Sequence, residues 1–181
     1  MKLVAKIAEA LYTLSRRVNT AAGFVSVLCF GAMLLVVLLQ VVARYIFASP
    51  PFWTEELARW LMIWGGLLGA TVAFHTHADP SLVTPAPESF ARMTIRAVTR
   101  AVAAWLFFLP VLNYSYPFVL RQMTRLSEGL GISTAWMSMA LPVTCIIICL
   151  HGLSGLGLIF SARVREQEAA LQHEAIGTEP A

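Results

Sequence analysis

The sequence predicts an all-α integral membrane protein with four transmembrane helices, both termini cytoplasmic, and an amphipathic helix ahead of the first span. Three observations carry this. The 181 residues are 58% hydrophobic and 13% charged, with a mean hydropathy of +0.71, whereas soluble domains carry about a quarter charged residues. The charges leave uncharged stretches at Val18–Ala43, Trp60–Phe74, Ala101–Leu120 and Gly129–Ala162. A helix needs about 20 residues to cross a hydrocarbon core of roughly 30 Å, and three of the stretches reach that length outright.

Residues 1–19 place Leu3, Ile7, Leu11, Leu14 and Val18 at three- and four-residue steps among Lys2, Lys6, Arg16 and Arg17. That pattern predicts an amphipathic helix lying in the membrane interface. It does not predict a cleaved signal peptide, because the apolar run that follows is too long; a signal anchor remains compatible. The first span follows from Thr20 to about Phe47, with Gln40 as its one strongly polar member ahead of Arg44 near its end. A short Pro-containing loop, Ala48 to Trp53, ends it, and Thr54 is the expected N-cap of the second span. Glu55 and Glu56 then fall in the first turn, where the helix dipole favours acids. This span runs to about His75; its apolar stretch is short, so Glu55, Glu56 and Arg59 are expected at headgroup level.

Pro80, Pro85 and Pro87 mark a loop over Thr76–Ser89. Arg92, Arg96 and Arg100 recur every fourth residue and line one face of a second amphipathic segment. The third span, Ala101–Leu120, contains Pro110 and Pro117, and Pro117 is expected to bend or break it by freeing the carbonyl of Asn113. The fourth span, about Ser133–Ala162, carries Pro142 as an expected kink. The chain therefore divides into an interfacial helix (1–19), a four-helix transmembrane domain (20–162) and a polar tail (163–181) expected to be disordered. Lys and Arg number nine in the N-terminal segment, second loop and tail, against four in the first and third loops. The positive-inside rule then sets both termini in the cytoplasm.

Composition narrows the chemistry. The basic residues flank apolar spans, so the net charge of +3 does not indicate nucleic-acid binding. Cys29, Cys145 and Cys149 lie inside apolar spans without metal-ligand spacing, and read as small apolar side chains in helix packing. No Asp, Glu, Lys or Arg falls deep in a span, whereas ion-coupled carriers usually keep ionisable groups or unwound backbone at mid-membrane. No cofactor is expected. One alternative uses His75 and His151 as axial ligands of haem b, but His75 lies near the membrane surface and His151 well inside its own span; a single His151 bonded to a neighbouring helix fits better. No Ser or Cys can be placed beside a His backed by an acid, so the chain does not read as an enzyme.

Trp53, Trp60 and Trp64 share one helix face near Glu56, and Trp64 lies deeper than an interfacial belt residue. Gly65-x-x-x-Gly69 permits close helix approach, within the chain or to a partner. Glu55 and Glu56 stand four and three residues before Arg59, spacings that suit ion pairs. They either stabilise the helix start or form a docking patch.

Arg44-Tyr45-Ile46-Phe47, then Phe52-Trp53-Thr54-Glu55-Glu56-Leu57-Ala58-Arg59, then Trp64 and Gly65 to Gly69, together resemble the signature of the small membrane subunit of tripartite ATP-independent periplasmic (TRAP) transporters, the DctQ type. The four-span length matches as well. A weaker likeness lies at Gly131-Ile132, Trp136 and Ala140-Leu141-Pro142-Val143. The resemblance does not extend to the second loop, which departs from the pattern at Phe74 to Pro80, nor to the N-terminal helix and the tail. It implies a non-enzymatic scaffold in the bacterial inner membrane. The partners would be a large membrane subunit of DctM type, which imports an organic acid on a sodium gradient, and a periplasmic binding protein of DctP type, alongside the lipid bilayer. On this reading Arg44, Trp53, Glu55, Glu56, Arg59, Trp64, Gly65 and Gly69 form the partner interface. A stand-alone four-span protein, or the haem-bearing anchor of a respiratory complex, would be the competing identities.

Overall fold

A computed structural model describes residues 2–77 and 90–176. Among the described residues, four helices are long and apolar enough to cross a membrane. Helix α1 spans Lys2–Ile46, α2 Trp53–His75 and α3 Phe90–Gln122; a short α4, Ala135–Ser138, leads into α5, Ala140–Gly155. A 3-10 turn at Leu156–Ile159 then redirects the chain into α6, Ala162–Ile176. The Pro-rich segment predicted as a loop lies mostly outside the described residues, as does the end of the tail.

Helices α2 and α5 adjoin; α1 packs along both, most extensively on α2, and α3 packs on α5. Among the spans α5 is the most buried and α1 the most exposed. The outward-facing residues of α1 and α3, among them Phe24, Val27, Leu35, Leu106 and Phe107, are apolar, as contact with lipid requires.

The amphipathic segment and the first span are joined end to end in α1, with no break near residue 19. At 1.5 Å per residue this helix is about 68 Å long, more than twice a hydrocarbon core. The second amphipathic segment likewise runs straight into the third span, and α3 continues through Pro110 and Pro117 without interruption. Pro142 does mark a break. It lies in the first turn of α5, where a missing N–H is tolerated, and the residue that separates α4 from α5 is Met139, just before it.

Three sequence expectations need correction. Thr54 is not the N-cap of the second span: α2 begins at Trp53, and the Thr54 hydroxyl donates back to Pro51 O at 2.6 Å. The last long helix ends at Gly155 rather than near Ala162. Gly152, Gly155 and Gly157 lower helix propensity there, and the final turn tightens onto Gly157 O, which accepts from Phe160 and Ser161. The tail is not disordered through its described length. Arg165-Glu166-Gln167-Glu168-Ala169-Ala170 is composed of strong helix formers, and α6 buries Val164 (1% exposed) against Tyr12 of α1 and Met93 of α3.

Candidate functional site

Two clusters of polar and small residues stand at opposite ends of the bundle. One holds most of the residues expected at a partner interface. At the start of α2, Glu55 pairs with Arg59 at 3.0 Å, with both side chains well exposed. Glu56 turns instead to the loop between α3 and α4, where its Oε2 accepts the Gly129 N–H at 2.7 Å. A Cβ at Gly129 would lie 2.6 Å from that oxygen and 3.2 Å from the Trp53 Cα, so a side chain at residue 129 would crowd the loop against α2 and displace the Glu56 carboxylate. The loop is a compact hairpin: Leu126 bridges Ser133, and Gly131 takes a positive φ of 66°. Trp64 Nε1–H donates to Trp136 O at 3.2 Å. Arg44 is exposed in the last turn of α1.

Gly65 and Gly69 face α1 of the same chain. A Cβ at Gly65 would stand 3.2 Å from Cys29 Cβ and from the Phe30 ring, and one at Gly69 would stand 3.2 Å from Ser26 Oγ. Ser26 Oγ donates to Gly65 O at 2.7 Å. The close approach permitted by these glycines is therefore used within the chain, between α1 and α2. Gly66, one residue away, faces open space.

The second cluster is a buried polar knot at the end where α1 and α3 begin and α2 and α5 end. His151 of α5 shares a 2.7 Å hydrogen bond with Ser15 of α1, and Ser154 lies 2.9 Å from the same hydroxyl. Ser15 is fully buried, and His75, His151 and Ser154 nearly so. His151 is thus bonded to a neighbouring helix, as its sequence position suggested. His75 of α2 lies against it, with ring centroids 4.7 Å apart and a 32° tilt, and stands nearly perpendicular to the Tyr12 ring at 6.1 Å. Just beyond α2, His77 takes a positive φ of 55° and bridges two helices. The Arg100 guanidinium donates to His77 Nδ1 and to Phe74 O, and stacks over the Phe74 ring at 4.2 Å. Because an arginine can only donate, His77 Nδ1 accepts and its Nε2–H is directed to Glu168 of α6, 2.6 Å away. Glu168 is 5% exposed, a burial sustained by that partner. Nearby Ser161 donates to Glu9 at 3.0 Å, a second tie between the C-terminal segment and α1.

This geometry overturns the haem alternative. A haem iron held by two axial imidazoles places the porphyrin plane between the rings, and His75 and His151 already fill that gap with each other. The expected difference in depth also disappears, because α5 ends four residues after His151. Among the described residues no group of three or more His, Cys, Asp or Glu side chains is arranged to hold a metal ion.

Sequence reasoning missed Ser15, Arg100 and Glu168 as members of one cluster. Ser15 shares a helical face with Tyr12, Asn19 and Ala22, a stripe of small and polar residues that was available as a signal. Glu168 follows Val164 by one turn within a run of helix formers, but the charge density of the tail hid it.

Comparison with known proteins follows from this architecture. The family model described as tripartite ATP-independent periplasmic transporters, DctQ component, matches residues 33–160. The chain is 28% identical over 138 residues to the sialic acid TRAP transporter small permease protein SiaQ of Vibrio cholerae, covering 74% of this chain and 78% of that protein. It is 32% identical over 127 residues to the sialic acid TRAP transporter permease protein SiaT of Haemophilus influenzae, covering 66% of this chain but only 20% of SiaT.

Proposed function

This chain belongs to the DctQ component family of the TRAP transporters, and from that membership we propose that it is the scaffold holding a larger permease subunit in the bacterial inner membrane. It is a small permease subunit, a transport protein rather than an enzyme. In the proposed assembly the larger, DctM-type subunit carries out sodium-driven uptake of an organic acid delivered by a periplasmic DctP-type binding protein. The sialic acid named for the two relatives exemplifies that substrate class.

One observation carries the division of labour. The spans contain no Asp, Glu, Lys or Arg in their deep parts, and α1, α2 and α3 run as continuous helices. Coupling sites of carriers are built from mid-membrane ionisable groups and interrupted helices, so the coupling machinery is assigned to the partner. With Gly65 and Gly69 engaged inside the chain, Arg44, Trp53, Glu55 and Arg59 at the junction of α1 and α2 are the proposed rim of the contact.

A mild-detergent pull-down of the tagged chain from its native membrane tests this reading. The expected result is stable recovery of a large polytopic carrier subunit. Recovery of the chain alone, or with redox subunits, would overturn it.

A further inference from the structure

The polar knot lines a partly open cavity of about 30 Å³ whose walls include His75, His77, Arg100, His151, Gly155 and Glu168. Such a space has room for one or two water molecules. His151 is 4% exposed. Its Nδ1 is engaged with Ser15, which is not part of the cavity wall. Nε2 is buried and has no hydrogen-bond partner among the described residues, and His151 is one of the residues lining the cavity. A buried imidazole nitrogen left in that condition is costly.

The neighbouring hydroxyls define what Nε2 needs. Ser154 Oγ stands 2.9 Å from both Ser15 Oγ and His151 O. If Ser154 donates to Ser15, then Ser15 donates to Nδ1 and the ring carries its proton on Nε2, which requires an acceptor. If Ser154 donates to His151 O, then Nδ1–H donates to Ser15 and bare Nε2 requires a donor. Water satisfies either arrangement. An anion would satisfy only the first and would face the Glu168 carboxylate; a cation would satisfy only the second and would face Arg100. The second partner is at hand: Glu168 Oε2 is committed to His77, while Oε1 borders the cavity beside Gly155, 3.7 Å from where a Cβ would stand.

We propose that this cavity is a built water site, in which one buried water hydrogen-bonds both His151 Nε2 and Glu168 Oε1 and so ties α5 to α6. The site gives the C-terminal helix a polar joint to the bundle in addition to its Val164 contact.

The substitution Gly155→Ala reads the site by the sign of its effect. Gly155 has ordinary helical dihedrals, φ −63° and ψ −30°, and an added methyl meets only Glu168 Oε1, at normal contact distance. In a dry cavity the methyl would raise the melting midpoint, as alanine for glycine does at compatible helical positions. In a hydrated one it displaces the water, strands Nε2 and lowers the midpoint by about 2–4 °C. Gly66→Ala, whose methyl enters open space, supplies the reference for helix propensity alone. The expected result for the full chain in lipid nanodiscs is a lower midpoint for Gly155→Ala and none lower for Gly66→Ala. A rise in both would overturn the proposal. On the unaltered chain, a nuclear Overhauser contact between water and the carbon-bound ring protons of His151 is also expected; its absence would overturn the proposal whatever the variants do.

Discussion

Glu55 reaches along α2 to Arg59, while Glu56 reaches across to Gly129. The first is an exposed i,i+4 ion pair, worth a few tenths of a kcal/mol and screened by salt. The second closes a loop onto a helix, and removing the carboxylate leaves a part-buried backbone N–H without its acceptor. Arg59→Ala should therefore leave the melting midpoint nearly unchanged, whereas Glu56→Ala should cost about 1–2 kcal/mol and loosen the hairpin at 125–134. Uptake normalised to inserted protein separates folding from docking: a docking role for Arg59 predicts reduced normalised uptake with unchanged stability. Spacing made the Arg59 pair legible in the sequence. It could not show that Glu56 had a partner 73 positions away, because nothing local announces which glycine will meet it.

Helices α1 and α2 fit together through small residues. Ser26 and Ala22 on one side and Gly65 and Thr71 on the other are buried, and Ser26 bonds the Gly65 carbonyl directly. In a bilayer such contacts draw on close packing and interhelical hydrogen bonds, since lipid is as apolar as the side chains. Gly65→Val would drive its methyls into Cys29 and Phe30 and should cost about 1–3 kcal/mol through overpacking. Gly66→Val, one step around the helix, should change stability by less than about 0.5 kcal/mol. Equal loss from both would mean that the interface is not where the structure puts it. At this scale the sequence disclosed the spans and the presence of a close-packing motif, but not its partner, because the Gly65–Gly69 pattern fits any small-faced helix. It also misjudged α6. The charged residues that suggested a solvated tail include Glu168, which is buried once His77, just beyond α2, and Arg100 of α3 are brought beside it.

Across the whole molecule the charge asymmetry and the fold agree. Successive spans alternate in direction, so the beginnings of α1 and α3 and the ends of α2 and α5 share one face, and α6 packs there as well. That face collects Arg16, Arg17, Arg92, Arg96, Arg100 and Arg165, whereas Arg44, Arg59, Arg121 and Arg125 mark the other. The positive-inside rule orients proteins by this kind of excess near the ends of spans, so the face with the polar knot is expected in the cytoplasm and the Glu56–Gly129 hairpin outside. Single cysteines test this in a background where Cys29, Cys145 and Cys149 are replaced by alanine. Thr13 and Glu128 are both exposed, one at each end. In intact spheroplasts a membrane-impermeant maleimide should label Glu128→Cys at once and Thr13→Cys only after permeabilisation. The reverse pattern would place the knot outside and leave the hairpin unable to meet a periplasmic binding protein. Labelling of Thr13→Cys from the outer side alone would also remove the rim at Arg44, Trp53, Glu55 and Arg59 from the compartment in which the proposed assembly receives its substrate.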